Sequence, residues 1–131
     1  MDMKIKKIFF LFLILTSFLL SQNKIASIHF LEGKSTIVSS VNDNRSIKAI
    51  PGRNIYSGDL IKVHSNSSCF VRFIDNKTHI QLSPNSIIKI TKDENVNKID
   101  LLKGDIYIKS LYNENSRTYL FTENNQVYLS N

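Results

Sequence analysis

The side chains best equipped for chemistry in this chain are His29, His64 and His79, Cys69, the acidic pair Asp93-Glu94 and the triplet Ser57-Gly58-Asp59. A metal site or a general base asks for histidines two or four residues apart on one element, or for one beside a carboxylate cluster. None of the three histidines has that spacing. There is also no Gly-x-Ser-x-Gly elbow and no glycine-rich phosphate loop. The triplet reads as a turn that starts a strand. Asp59 and Asp105 each follow a glycine, and the expectation is that their carboxylates bond to nearby backbone N–H groups, with a calcium site as the lesser alternative. Asp93-Glu94 lies in the polar stretch 91–98, read as an exposed loop between two strands. The single cysteine can form no internal disulfide, and its position on an apolar face makes it a small buried hydrophobe. The sequence therefore predicts no catalytic, cofactor-binding or metal-binding residues and no cofactor. An exported hydrolase with a dispersed site is the remote alternative.

The elements that would position these residues begin after a distinct N-terminal segment. Lys4, Lys6 and Lys7 precede a run from Ile8 to Leu20 that is apolar apart from Thr16 and Ser17. A basic start and an apolar core shorter than a spanning helix of roughly 20 residues define a secretory signal peptide. Residues 1–21 are expected to be that peptide, with an uncleaved anchor to the inner membrane as the alternative, and residues 22–131 to be one domain. Location in the periplasm or outside the cell follows. Net charge is +6, but Lys62, Lys77, Lys89, Lys98 and Lys109 are dispersed along the sequence. A nucleic-acid partner is not expected from such a pattern. Asn44, Asn66 and Asn76 stand in glycosylation sequons, which matter only in a eukaryotic secretory pathway.

Beyond Lys24 the pattern is of short alternating or β-branched segments separated by Gly, Asn, Asp, Ser and Pro. Eleven strands are predicted, at 26–31, 35–41, 46–50, 60–63, 69–74, 78–82, 87–90, 98–102, 106–109, 118–121 and 127–129. The fold class is all-β, a single small domain of mostly antiparallel strands in a sandwich, a roll or a short β-helix. Pro51-Gly52 suits a type II turn, and Pro84-Asn85 makes a second turn. A two-residue loop at Asn76-Lys77 would pair Phe73 with Ile80 and Val71 with Leu82. Those four residues and Cys69 then share one apolar face, while Phe70, Arg72, Ile74, His79 and Gln81 take the other. Gly-polar-β starts recur at Gly33, Gly58 and Gly104, a loose internal echo.

The order of these pieces resembles the FecR-like domain family over residues 51–122. Gly58, Asp59 and Ile61 match its Gly-Asp-x-Ile strand start, Phe73 and Asp75 its Phe-x-Asp hairpin, Leu82, Asn85 and Ser86 its serine turn, and Leu101 and Gly104 its Leu-x-x-Gly strand. Asp75-Asn76 stands where the family usually has Asp-Gly. The best-known members place a sigma-factor-holding segment before their membrane helix. Seven residues precede the apolar run here, so the resemblance implies only the exported half, without an anti-sigma role. It also implies closing strands beyond this chain's end, and their lack would leave an open edge.

The functional expectation is a non-enzymatic exported module that binds another protein or a cell-envelope component, in sensing or signalling. The alternative is a self-associating structural subunit or the N-terminal portion of a larger envelope protein. The expected partner edge comprises Tyr119, Phe121, Val127, Tyr128 and Leu129, where unpaired backbone groups accept a strand. Gly58, Asp59, Asp75, Asn76, Gly104 and Asp105 are expected to be scaffold. The tyrosines, Tyr56, Tyr107 and Tyr112 included, offer apolar area with a polar tip and are the further binding candidates. Membrane contact is expected only if residues 8–20 stay attached.

Overall fold

The computed structural model describes residues 3–19, 24–41, 44–75, 77–110, 117–123 and 126–129. One helix, α1 (Met3–Leu19), is followed by twelve strands: β1 (Lys24–Glu32), β2 (Ser35–Val38), β3 (Ser46–Lys48), β4 (Asn54–Tyr56), β5 (Leu60–Val63), β6 (Ser68–Phe73), β7 (His79–Leu82), β8 (Ile87–Asp93), β9 (Val96–Lys103), β10 (Ile106–Lys109), β11 (Arg117–Phe121) and β12 (Gln126–Leu129). They build a five-stranded sheet in the order β10-β7-β6-β1-β4 and a seven-stranded sheet in the order β12-β11-β9-β8-β5-β2-β3. All pairings among the described residues are antiparallel except β9 with β11.

Alternation along the strands decides which face is buried. On β6, Cys69, Val71 and Phe73 are buried while Ser68, Phe70 and Arg72 are half-exposed. β5 buries Ile61 and Val63, β7 buries Ile80 and Leu82, and β8 buries Ile88 and Ile90. Residues from both sheets form one cluster, so the sheets lie face to face over a common core. Isoleucine supplies most of that core. A branched Cβ has few rotamers to lose on a strand, and each buried isoleucine contributes about 1.5–3 kcal/mol.

The chain changes sheets repeatedly, and each described crossing holds a residue with positive φ. These are Gly33 between β1 and β2, Gly52 between β3 and β4, Gly58 between β4 and β5, Asn66 between β5 and β6, Asn85 between β7 and β8, and Gly104 between β9 and β10. The glycine echo in the sequence thus marks corners between sheets. At the predicted type II turn, Arg53 N–H donates to the Ile50 carbonyl at 3.1 Å, with Gly52 at φ +85°.

Several expectations need correction. The 6/7 hairpin pairs Val71 with Ile80 and Cys69 with Leu82, two residues away from the predicted register. Its loop is longer than two residues because Ile74 N–H is drawn to the Ile25 carbonyl of β1. A shift of two keeps every side chain on its face, so the predicted inward set stands. The stretch 91–98 is no extended loop, since β8 runs to Asp93, β9 begins at Val96, and Asn97 is fully buried. Strand β4, at 54–56, was not predicted; Ile55 on it is fully buried.

The described side chains of helix α1 add nothing to the core. Its residues 3–13 are exposed, including Phe9, Phe10, Leu11 and Phe12. No helix among the described residues is long and apolar enough to cross a membrane.

Candidate functional site

Strand β1 carries an irregularity that shapes the outer face of the five-stranded sheet. Ile28 pairs with Val71, but Phe30 pairs with Phe70, so His29 is an extra residue on its strand. Such a bulge reverses the alternation that follows it. Phe30 would point inward on a regular strand; here it is 49% exposed and meets Phe70 edge-on, with ring centroids 5.6 Å apart. His29 turns to the same side and stands edge-on to His79 at 6.2 Å.

Register completes the face. Arg72 pairs with His79 and Phe70 with Gln81, while Tyr107 and Lys109 of β10 pair with Gln81 and His79. Directly paired residues share a side, so an aromatic and basic surface runs from β1 across β6 and β7 to β10. Tyr107 is 66% exposed. Among the described residues neither Arg72 nor Lys109 forms an ion pair, the one salt bridge being Lys92 to Asp75 at 3.2 Å. Desolvation, then Arg72, His29 and Lys109, hold His79 below its ordinary value, which keeps the ring neutral around pH 7.

The histidines therefore do meet in part: His29 and His79 converge beside cations, whereas His64 lies in the corner after β5. Among the described residues no group of three or more His, Cys, Asp or Glu is placed to hold a metal ion. Cys69 is fully buried, and burial raises its thiol to about 12 against a smaller lowering by the nearby Ser35 hydroxyl. The thiolate, the reactive form, is then scarce in the native fold. A thiol reagent at pH 8 should leave Cys69 unmodified in folded protein and label it fully in denaturant, as read by intact mass; rapid labelling of folded protein would contradict this burial.

The scaffold residues divide by role. Asp59 is buried, and its carboxylate accepts Ser40 N–H and Tyr56 N–H, both at 2.8 Å, and the Ser40 hydroxyl at 3.0 Å. Asp75 accepts the Asn97 amide at 3.0 and 3.1 Å as well as Lys92, which ties the 6/7 loop to the other sheet. Asp105 is exposed and acts through its backbone, its N–H donating to the Ser86 hydroxyl at 3.0 Å. The expectation of a backbone-capping carboxylate thus holds for Asp59 and not for Asp105. Gly58 and Gly104 are corners, and Asn76 lies outside the described residues.

The expected partner edge is spread over two strands. Tyr119 and Phe121 lie on β11, which is paired on both sides, and their rings are 6.5 Å apart. Val127, Tyr128 and Leu129 lie on β12, which ends the seven-stranded sheet. Tyr112 lies outside the described residues. Lysines far apart in sequence also gather. Lys62 alternates with buried Ile61, Lys89 with Ile88 and Ile90, and Lys98 with Ile99, so the three share the outer face of that sheet. Sequence reasoning places Phe70, Arg72, His79 and Gln81 on this face and misses what β1 adds, His29 and Phe30, because an inserted residue in β1 is visible only through its pairing with β6.

No protein-family profile, curated protein or solved structure matches this chain.

Proposed function

We propose that this chain is an exported, non-enzymatic β module of the FecR-like type that binds another protein of the cell envelope through the outer face of its five-stranded sheet. The observation that carries this reading is the surface made by Phe30, Phe70 and Tyr107 with Arg72 and Lys109. A folded domain rarely exposes contiguous aromatic area flanked by arginine and lysine unless something docks there. Aromatic residues and arginine are also the side chains that concentrate binding energy at interfaces. The chemistry of the face calls for a partner offering carboxylates around an apolar centre.

Export rests on the basic start and on the exposed apolar residues of α1, which join no core and suit a segment handled by the secretion machinery. Residues 1–21 act as the signal peptide in this reading, and the domain works in the periplasm or outside the cell.

The test places a photo-crosslinking amino acid at position 107, at 89 on the opposite sheet, or at 128 on β12, in producing cells. A discrete adduct from 107 and none from 89 is the expected result, identified by mass spectrometry, and Phe70→Ala should reduce it several-fold. Equal adducts from 107 and 89, or none from 107, would sink the outer-face reading. An adduct from 128 alone would move the site to the β12 edge, and one of twice the chain mass would make the partner a second copy.

A further inference from the structure

At one end of the fold the terminal strands of the two sheets, β3 and β4, leave a cleft of about 660 Å3 between them. That is within the roughly 300–1,000 Å3 typical of small-molecule sites. Ile37, Val41, Ile47, Ile50 and Pro51 give it apolar walls drawn from the seven-stranded sheet and the turn that leaves it. Val41 and Ile50 are each 42% exposed at its margin.

Arg53 is the one cation among the described residues lining this cleft, and its Nε is buried with no hydrogen-bond partner. A guanidinium carries five donors in a planar fork that matches a carboxylate. Leaving a buried charged donor unpaired is costly, which makes Arg53 the group in the cleft that asks for a ligand. Asp59, the one acid among the described lining residues, makes no ion pair with Arg53; its oxygens accept from Ser40 and Tyr56.

We infer that this cleft is a binding site for a small amphipathic carboxylate, its acid group on Arg53 and its alkyl chain along Ile37, Ile47 and Ile50. A free acid is favoured over an added peptide strand. Such a strand would need backbone donors on β4, and Tyr56 N–H already bonds to the Asp59 carboxylate at 2.8 Å. The site lies apart from the aromatic face and does not depend on that face binding a protein.

The experiment is proton–nitrogen correlation NMR on the chain in the form its producing cell delivers, titrated with octanoate below its micellar concentration, with octan-1-ol, and with N-acetyl-leucine. Octanoate should shift the Arg53 Nε–H signal and the amides of Gly52 and Tyr56 saturably, and octanol should bind at least about tenfold more weakly. Arg53→Gln should weaken octanoate about tenfold and leave octanol unchanged. Ile50→Glu, an exposed change that leaves Arg53 in place, should also weaken octanoate. The inference is overturned if octanoate gives no saturable shift, if octanol binds as well, or if N-acetyl-leucine binds more tightly, which would assign the cleft to a peptide terminus.

Discussion

Replacing Asp59 by alanine should remove about 3–5 kcal/mol of folding stability, a large share of the roughly 5–15 kcal/mol that holds a domain of this size together. The argument starts from Asp59 being only 1% exposed. Its two oxygens accept from the backbone of Ser40, from the backbone of Tyr56 and from the Ser40 hydroxyl. Ser40 follows β2 in one sheet and Tyr56 ends β4 in the other, so a single carboxylate fastens the two sheets beside the cleft. Alanine leaves two backbone donors bare, each at roughly 1–3 kcal/mol, and nothing nearby is placed to replace the lost oxygens. Asp59→Asn keeps one acceptor oxygen and should cost less, about 1–2 kcal/mol. Denaturant unfolding followed by circular dichroism reads both. A loss below about 1 kcal/mol in the alanine variant would show that water reaches these donors and that Asp59 is no fastener.

How much of this was legible beforehand depends on whether a feature is local in sequence. Alternation is local, and it placed Cys69, Val71, Phe73, Ile80 and Leu82 on the buried face even though the register was two residues off. The period of a strand is two, so such an error leaves faces untouched. Turn chemistry is also local: Pro51-Gly52 and Pro84-Asn85 stand where predicted, with Gly52 and Asn85 at positive φ. Strand β4 escaped because three residues between turn signals carry too little pattern. Its identity comes from pairing with β1, twenty-seven or more positions away for Ser27 and Asn54. The bulge at His29 and the parallel contact of β9 with β11 are of the same kind, set by partners and not by neighbours. The cleft gathers β2, β3, a turn and β4, so no contiguous motif announces Arg53.

Gly104→Ala should cost markedly more than Gly52→Ala, and the difference isolates crowding from backbone strain. The two glycines have nearly the same left-handed conformation, φ +82° and +85°. A side chain in that region costs roughly 1–2 kcal/mol at either position. Around Gly52 an added Cβ meets nothing within 4 Å, so the conformational cost is the whole effect there. At Gly104 the new atom would collide with the Ser86 hydroxyl and lie 2.7 Å from the Ser86 Cα. That backbone cannot swing aside, because Ser86 Oγ donates to the Asp105 carbonyl at 2.9 Å and accepts Asp105 N–H. Overpacking of this kind adds about 1–3 kcal/mol, for a total of about 2–5 kcal/mol at Gly104. The corner at Gly33 repeats the arrangement with Ser67, whose hydroxyl accepts Lys34 N–H at 2.9 Å, so Gly33→Ala should resemble Gly104→Ala. Equal losses at 52 and 104 would mean that the serine corner yields freely. The crossings would then be held by the core alone, and the recurrence of glycine with serine at them would need another cause.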